Sequence, residues 1–344
     1  MNARALFASL LVTGNAALAQ GFAGLGAPAP GFAEPNPARS LSFPADHGAH
    51  PTFRVEWWYL TANLTGEDGQ TFGVQWTLFR TALAPTGAPG DQIWMGHAAI
   101  SAPGHHYWTE RLSRGDIGTA GVAAQPFEAF IDEWEMKGPT LSDIEITAQG
   151  TDFAYDLYLF SEKPFVPEGM NGYAVKSAKG NASRYYSQPF YRAEGTLTLP
   201  AGKVNVSGLG WLDREWSSQG LAAGQTGWDW MGLHLESGAK VMVYRLRDKN
   251  GDIFLTGNWI TAEGATENLQ PGSLEMTPLE TAVSGGVAHP VRWRVAVQEH
   301  GLDVVVTAIY PDSRMPTSVP YWEGPVHVNG TQRGVGYLEM TGYE

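Results

Sequence analysis

From Phe53 onward the chain alternates short runs rich in aromatic and β-branched residues with turns built on Gly, Pro, Asn and Asp, a pattern that predicts strands. The series opens at Phe53–Tyr59, turns at Leu64–Gly69 and returns through Phe72–Arg80 as a hairpin. Further strands are expected at 93–101, 107–111, 127–133, 142–149, 153–160, 190–199 and 204–212. The second half continues at 228–235, 241–247, 254–261, 291–297, 302–309, 321–328 and 336–341. Lys249-Asn250-Gly251-Asp252 predicts a type I′ hairpin turn. Only a short piece near Phe127–Lys137 has any helical character. Many short strands, frequent turns and 42 Gly argue for an all-β barrel or sandwich.

A weak repeat runs through this pattern. Trp57, Tyr59 and Asn63, followed by a turn and Val74 to Arg80, parallel Trp228, Trp230 and His234, followed by a turn and Val241 to Arg247. Two diverged β domains packed together are the simplest reading, and chance similarity of two amphipathic hairpins is the alternative. The division is expected at 203/204, giving domains 43–203 and 204–344.

The start of the chain reads differently. Arg4 supplies a short basic region, Ala5–Leu18 an apolar one, and Ala17-Leu18-Ala19 a small-x-small cleavage site, so residues 1–19 are expected to be a secretory signal. Residues 20–42, rich in Gly, Ala and Pro, are expected to form a flexible leader. A periplasmic or secreted location follows, with no integral membrane segment. An exported chain with no Cys must draw its stability from a core, and Cys nucleophiles, thiolate metal sites and thiol redox chemistry are excluded. The net charge of −13 argues against nucleic acid and anionic lipid as partners and favours a neutral, apolar one or a basic one.

Candidate chemistry concentrates between Gly208 and Leu235. Trp211, Trp216, Trp228 and Trp230 interleave there with Asp213, Arg214, Glu215, Asp229 and His234. Aromatic walls with a few convergent polar groups suit a concave ligand site. A barrel seam whose buried ion pairs fix strand register is the competing reading. Asp46, His47 and His50 are spaced too loosely for a metal and are expected to form a loop that hydrogen-bonds Glu56 or Arg54. Glu323 and Glu339 are expected to pair with Arg80, Arg245 or Arg247, and His97 and His234 to be satisfied core histidines. Gly-x-Ser-x-Gly, His-Glu-x-x-His and Gly-Lys-Ser/Thr motifs are missing, which disfavours serine hydrolases, zinc proteases and nucleotide enzymes.

An ordered set of motifs resembles the lipocalin-like AttH family, which includes carotenoid 1,2-hydratase (hydroxyneurosporene synthase). It comprises Phe43-Pro-x-Asp46-His47-Gly-x-His50-Pro, Glu56-Trp57-Trp58-Tyr59, Tyr185-Tyr186-Ser187, Gly210-Trp211-Leu-Asp213-x-Glu215-Trp216 and Gly227-Trp228-Asp229-Trp230. Tyr321-Trp322-Glu323-Gly324-x-Val326 and Gly336-Tyr337-Leu338-Glu339-x-Thr341-Gly342-Tyr343 complete it. The resemblance implies two tandem lipocalin-like domains enclosing apolar space in an exported bacterial protein, and no cofactor. It implies either an apolar ligand, such as a lipid or isoprenoid, with a membrane export complex as a partner, or hydration of an isoprenoid double bond.

Hydration without a cofactor needs a carboxylic acid that keeps its proton near neutral pH, aromatic faces for a tertiary cation and a polar group to hold water. Asp213 and Glu215 are the candidate acids and Tyr244 a further catalytic candidate. Trp57, Tyr59, Trp211, Arg214, Trp216, Trp228, Trp230 and His234 are the candidate ligand contacts. The family often carries His where Arg214 stands. Arg cannot shuttle protons near neutral pH, and this departure favours ligand binding over catalysis.

Overall fold

The computed structural model describes residues 29–343. The expected signal segment and residues 20–28 of the leader lie outside the described residues. Strands β1 (Val55–Gly66), β2 (Thr71–Ala82), β3 (Gln92–Ala102), β4 (His105–Arg114), β5 (Ala120–Ala124), β6 (Phe127–Ile131) and β7 (Trp134–Thr140) begin the first sheet. It continues with β8 (Asp143–Gln149), β9 (Ala154–Phe160), β10 (Val166–Pro167), β11 (Tyr173–Val175), β12 (Ala182–Leu199) and β13 (Gly202–Ser217). The second sheet holds β14 (Gln225–Leu235), β15 (Lys240–Asp248), β16 (Ile253–Ile260), β17 (Thr266–Asn268) and β18 (Leu274–Ser284). It ends with β19 (Val287–Val297), β20 (Leu302–Ala308), β21 (Arg314–Met315), β22 (Tyr321–Gly330) and β23 (Gly334–Thr341).

Both sheets curl, and their strand orders match. The first runs β4-β3-β2-β1-β13-β12-β9-β8-β7-β6-β5 and the second β17-β16-β15-β14-β23-β22-β20-β19-β18. Each opens with four strands in sequence and then sets its last strand beside its first. The tandem lipocalin-like architecture is therefore a duplication, with β5 and β6 added to the first copy. β1 and β14 occupy equivalent places, as the repeat containing Trp57 and Trp228 predicts.

Four expectations need correction. The 203/204 boundary falls inside β13, which pairs with both β1 and β12 and completes the first sheet, so the chain changes sheets at residues 218–224. Trp211–Trp216 accordingly closes the first domain. Residues 127–137 form the β6–β7 hairpin, in which Phe127, Ala129 and Ile131 point inward. The Lys249–Asp252 hairpin exists, but only Gly251 takes a positive φ (+88°), whereas a type I′ turn needs two such residues. Finally, part of the leader is fastened to the fold: Ala33 N–H donates to Thr52 O at 3.0 Å, and Ala33 O accepts from Ser218 Oγ at 2.6 Å.

Each curled sheet has its own core. Trp58, Leu60, Trp76, Trp134 and Trp216 fill the first, and Trp293, Trp322, Leu233 and Val295 the second. The first also encloses an ion cluster. Glu56 accepts from Arg80, from Arg214 Nη2 at 3.1 Å and from the His50 N–H at 2.7 Å. Arg214 further donates to Gly48 O and Trp57 O, and its guanidinium lies 3.8 Å from the Trp58 ring centroid. The two guanidinium groups and His50 outweigh burial and hold the Glu56 carboxyl far below the usual carboxylate range. A depressed folded-state pKa stabilises above the unfolded value and is lost as pH falls, so this cluster weakens in acid. Removing one partner of a buried ion cluster costs about 3–5 kcal/mol. Arg214→Met is expected to lower the urea-unfolding free energy by about that amount, and a loss below about 1 kcal/mol would contradict the role given to the cluster.

Candidate functional site

In the β1–β13 pair Trp57 stands opposite Glu215, Trp58 opposite Arg214, and Tyr59 opposite Asp213. Successive side chains leave a strand on opposite faces. The even-numbered set therefore enters the first core, while Trp57, Tyr59, Trp211, Asp213 and Glu215 face the second sheet. That sheet answers with Trp228 and Trp230 from β14, Tyr244 from β15 and Glu339 from β23. Tyr59 meets Trp230 edge to face at 5.6 Å, and Trp228 stacks on Tyr244 at 6.1 Å. Between them lies a cavity of about 120 Å³ bordered by Trp57, Tyr59, Trp228, Trp230, Tyr244 and the carboxyls of Asp213, Glu215 and Glu339.

The duplication places acids in matching rows. Tyr59, Asp213 and Ser187 lie side by side across β1, β13 and β12. Trp230, Glu339 and Glu323 hold the same positions across β14, β23 and β22. Asp213 Oδ2 accepts from Tyr185 OH at 2.6 Å, and its Oδ1 accepts from Ser187 Oγ and Trp211 Nε1, each at 2.6 Å. Burial nevertheless outweighs those hydrogen bonds and pushes Asp213 up to about 7. Glu339 is raised to about 8 by burial, opposed by the Trp228 Nε1 donor at 3.3 Å. Burial also raises Glu323, whose Oε2 accepts from Tyr59 OH at 3.0 Å. Glu215 differs, because it forms an ion pair with buried Lys176 at 3.1 Å. The Lys176 ammonium sits 3.9 Å from the Tyr244 ring centroid and 4.6 Å from that of Tyr185.

An apolar row leads from this cavity to the surface. Trp57, Phe79, Met95 and Leu112 are successive cross-strand neighbours on β1, β2, β3 and β4. Leu112 at the outer end is 61% exposed. The loop beyond β21 walls one side, where Ser318 donates to both Glu110 oxygens at 3.0 and 2.7 Å.

Of the expected site residues, Asp213, Glu215, Tyr244, Trp57, Tyr59, Trp228 and Trp230 come together around the cavity. Trp211 and His234 pack edge to face at 5.6 Å in the seam behind it. Arg214 and Trp216 are corrections. Both point into the first core, where Trp216 stacks on His50 at 4.0 Å, because strand alternation sends them away from Asp213. The objection that Arg214 replaces a proton-carrying His loses its force, since the residue at that position does not face the cavity. Glu323 and Glu339 do not pair with Arg as expected: Arg80 serves Glu56, and Arg245 and Arg247 serve Asp229. His97 is satisfied as expected by Tyr321 OH at 2.9 Å and Glu110 at 3.0 Å, but His234 is not, because its Nδ1 is buried in the aromatic seam without a hydrogen-bond partner. His50 bridges Asp46 and Glu56, and His47 pairs with Tyr186 OH at 2.7 Å. Among the described residues no cluster of His, Asp and Glu is placed to hold a metal ion, and no helix is long and apolar enough to cross a membrane.

The family model for AttH-like proteins matches residues 34–343. The chain belongs to the AttH-like family. It is similar in structure to an AttH protein of Nitrosomonas europaea, with a TM-score of 0.82 and 31% identity over 91% of this chain and 99% of that one. It also shares its fold with kievitone hydratase of Nectria haematococca, with a TM-score of 0.64 and 17% identity over 90% and 98% of the two chains. Among curated proteins none matches the sequence.

The buried acids make stability depend on pH with a definite sign. Asp213 near 7, and Glu339 and Glu168 near 8, lie above their ordinary values of 3.8 and 4.5. A raised folded-state pKa means that the folded protein holds extra protons. The resulting stability is complete below the unfolded pKa and is lost as pH rises through the folded one. Below about pH 6.5 the buried histidines, whose burial lowers their pKa, add stability as pH rises and oppose the acids. The melting temperature is therefore expected to fall between about pH 6.5 and pH 8, and Glu339→Gln to flatten that fall. An identical slope in Glu339→Gln would contradict the assignment.

Proposed function

We propose that this AttH-like protein is an exported, hydratase-like enzyme that binds an apolar, unsaturated molecule between its two domains and adds water across an isolated double bond. The observation that carries the proposal is the pair of near-neutral carboxyls, Asp213 and Glu339, set against indole and phenol faces beside Glu215 and its Lys176 partner. A carboxyl that titrates near neutrality still holds a proton to give. In the reaction, Asp213 protonates the less substituted alkene carbon. The tertiary cation that forms lies against Trp228, Trp230 and Tyr244, whose ring faces favour positive charge. Water then bonds to the cation and gives its extra proton to the Glu215 carboxylate. Export is supported by the basic start, apolar run and small-x-small site of residues 1–19. The kinship with kievitone hydratase is one of architecture, and the reaction is argued from the cavity alone.

A second reading, a carrier of lipid- or isoprenoid-like molecules that serves a membrane export system, draws on the apolar row from Leu112 to Trp57. It also draws on the three hydrogen bonds that already engage Asp213.

Turnover separates the two. Acyclic isoprenoids with a trisubstituted terminal double bond are expected to yield a labelled tertiary alcohol in oxygen-labelled water. Asp213→Asn is expected to lower that turnover at least about 100-fold. A ligand that binds and gains no label, or turnover intact in Asp213→Asn, would defeat the hydratase reading, and the first result would favour the carrier.

A further inference from the structure

Ser187 stands directly opposite Asp213 in the β12–β13 pair, and Val166 of β10 stands opposite Ser187 on the other side. The two-residue strand β10 thereby delivers the next acid, Glu168, to the same hydroxyl. Glu168 is fully buried, and its N–H donates to Tyr185 O at 3.1 Å. Gly169 then turns the chain with φ +62°, and its N–H donates to Asn258 Oδ1 of the second domain at 3.2 Å. A Cβ at Gly169 would come within 2.4 Å of Tyr173 O, so the turn that presents Glu168 accepts no side chain.

Ser187 Oγ lies 2.9 Å from Glu168 Oε1 and 2.6 Å from Asp213 Oδ1. A hydroxyl has one proton to donate and two lone pairs. It can donate to one of these oxygens, and the other contact is a hydrogen bond only if that carboxyl carries a proton and donates it to Ser187. The trio therefore holds a carboxylic acid. Because Asp213 already accepts from Tyr185 and Trp211, the proton is best placed on Glu168 at rest.

We propose that Glu168, Ser187 and Asp213 form a proton relay in which Glu168 stores the proton that Asp213 delivers into the cavity. The inference rests on Asp213 being the acid that faces substrate. In turnover Glu168 gives its proton to Ser187 Oγ while Ser187 passes its hydroxyl proton to Asp213 Oδ1, so two O–H bonds break, two form and Asp213 becomes the acid. Asp213 then gives that proton to the alkene carbon and both carboxyls of the trio end as carboxylates. The proton that the added water surrenders to Glu215 keeps the total in the site unchanged. Asp213, Lys176 and Glu215 are the charged groups acting on Glu168, and Asn258 is the polar group bonded beside it from the second sheet. Glu168 touches no substrate and acts through Ser187, as a positioning residue for the proton.

The test is infrared spectroscopy of the intact protein with turnover alongside. Gln at position 168 keeps the size and donates an N–H to Ser187, but it has no proton to release. At neutral pH the wild-type-minus-Glu168→Gln spectrum is expected to carry a carboxylic-acid carbonyl band that shifts in deuterated water. Asp213→Asn is expected to retain that band. On an isoprenoid that the wild type hydrates, Glu168→Gln and Ser187→Ala are expected to lower kcat about 100-fold with KM little changed, and to move the alkaline limb of the kcat profile to lower pH. An unchanged band or an unchanged limb in Glu168→Gln overturns the relay. A wild type that hydrates nothing defeats the hydratase reading, while the infrared result still decides where the proton resides.

Discussion

Between Val55 and Tyr59, and between Trp211 and Ser217, odd and even side chains leave their strands on opposite faces, and the two faces solve the problem of buried charge in different ways. On the inner face Glu56 is compensated by Arg80 and Arg214. On the outer face Asp213 has hydroxyl and indole donors but no cation, and burial raises its pKa toward neutrality. The ion-paired cluster holds the register in which Tyr59 meets Asp213 and Trp57 meets Glu215. A one-residue slip would exchange the faces, placing Arg214 in the seam and Asp213 in the first core.

Duplication turns this arrangement into a candidate site. The second copy presents Trp230 and Glu339 where the first presents Tyr59 and Asp213. Packed face to face, the two rows bring acids from both domains around one aromatic-walled space. Holding them there is unfavourable for their ionised forms. The compensation comes from the rings around them, since full burial of a large side chain contributes roughly 1.5–3 kcal/mol. The copies have diverged in where charge remains: Lys176, from the segment after β11, pairs with Glu215 of the first copy.

The fold was largely legible because strand periodicity, turn residues and the Trp57/Trp228 repeat all agree with the tandem architecture. Most residues around the cavity are legible as well, since Trp228, Trp230, Asp213 and Glu215 crowd into two short motifs. The errors have a common cause. Proximity in sequence groups Arg214 and Trp216 with Asp213, whereas parity along the strand separates them from it. Glu339 and Glu323, in aromatic, Gly-spaced strands, suggest buried Arg pairs, but Arg245 and Arg247 are held by Asp229. Glu168 and Lys176 left no mark in the sequence pattern. They flank β10 and β11, of two and three residues, whose positions are set by long-range pairing with β12.

The central claim is that function resides between the two domains and not inside either curled sheet. A crystal structure with a saturated isoprenoid alcohol, which resembles the hydrated product and has no double bond to react, tests this most directly. The account predicts its chain between Trp57 and Trp228, with its hydroxyl within hydrogen-bonding distance of Asp213 or Glu339. Density inside the Trp58–Trp216 core or the Trp293–Trp322 core, with the seam closed and dry, would contradict it.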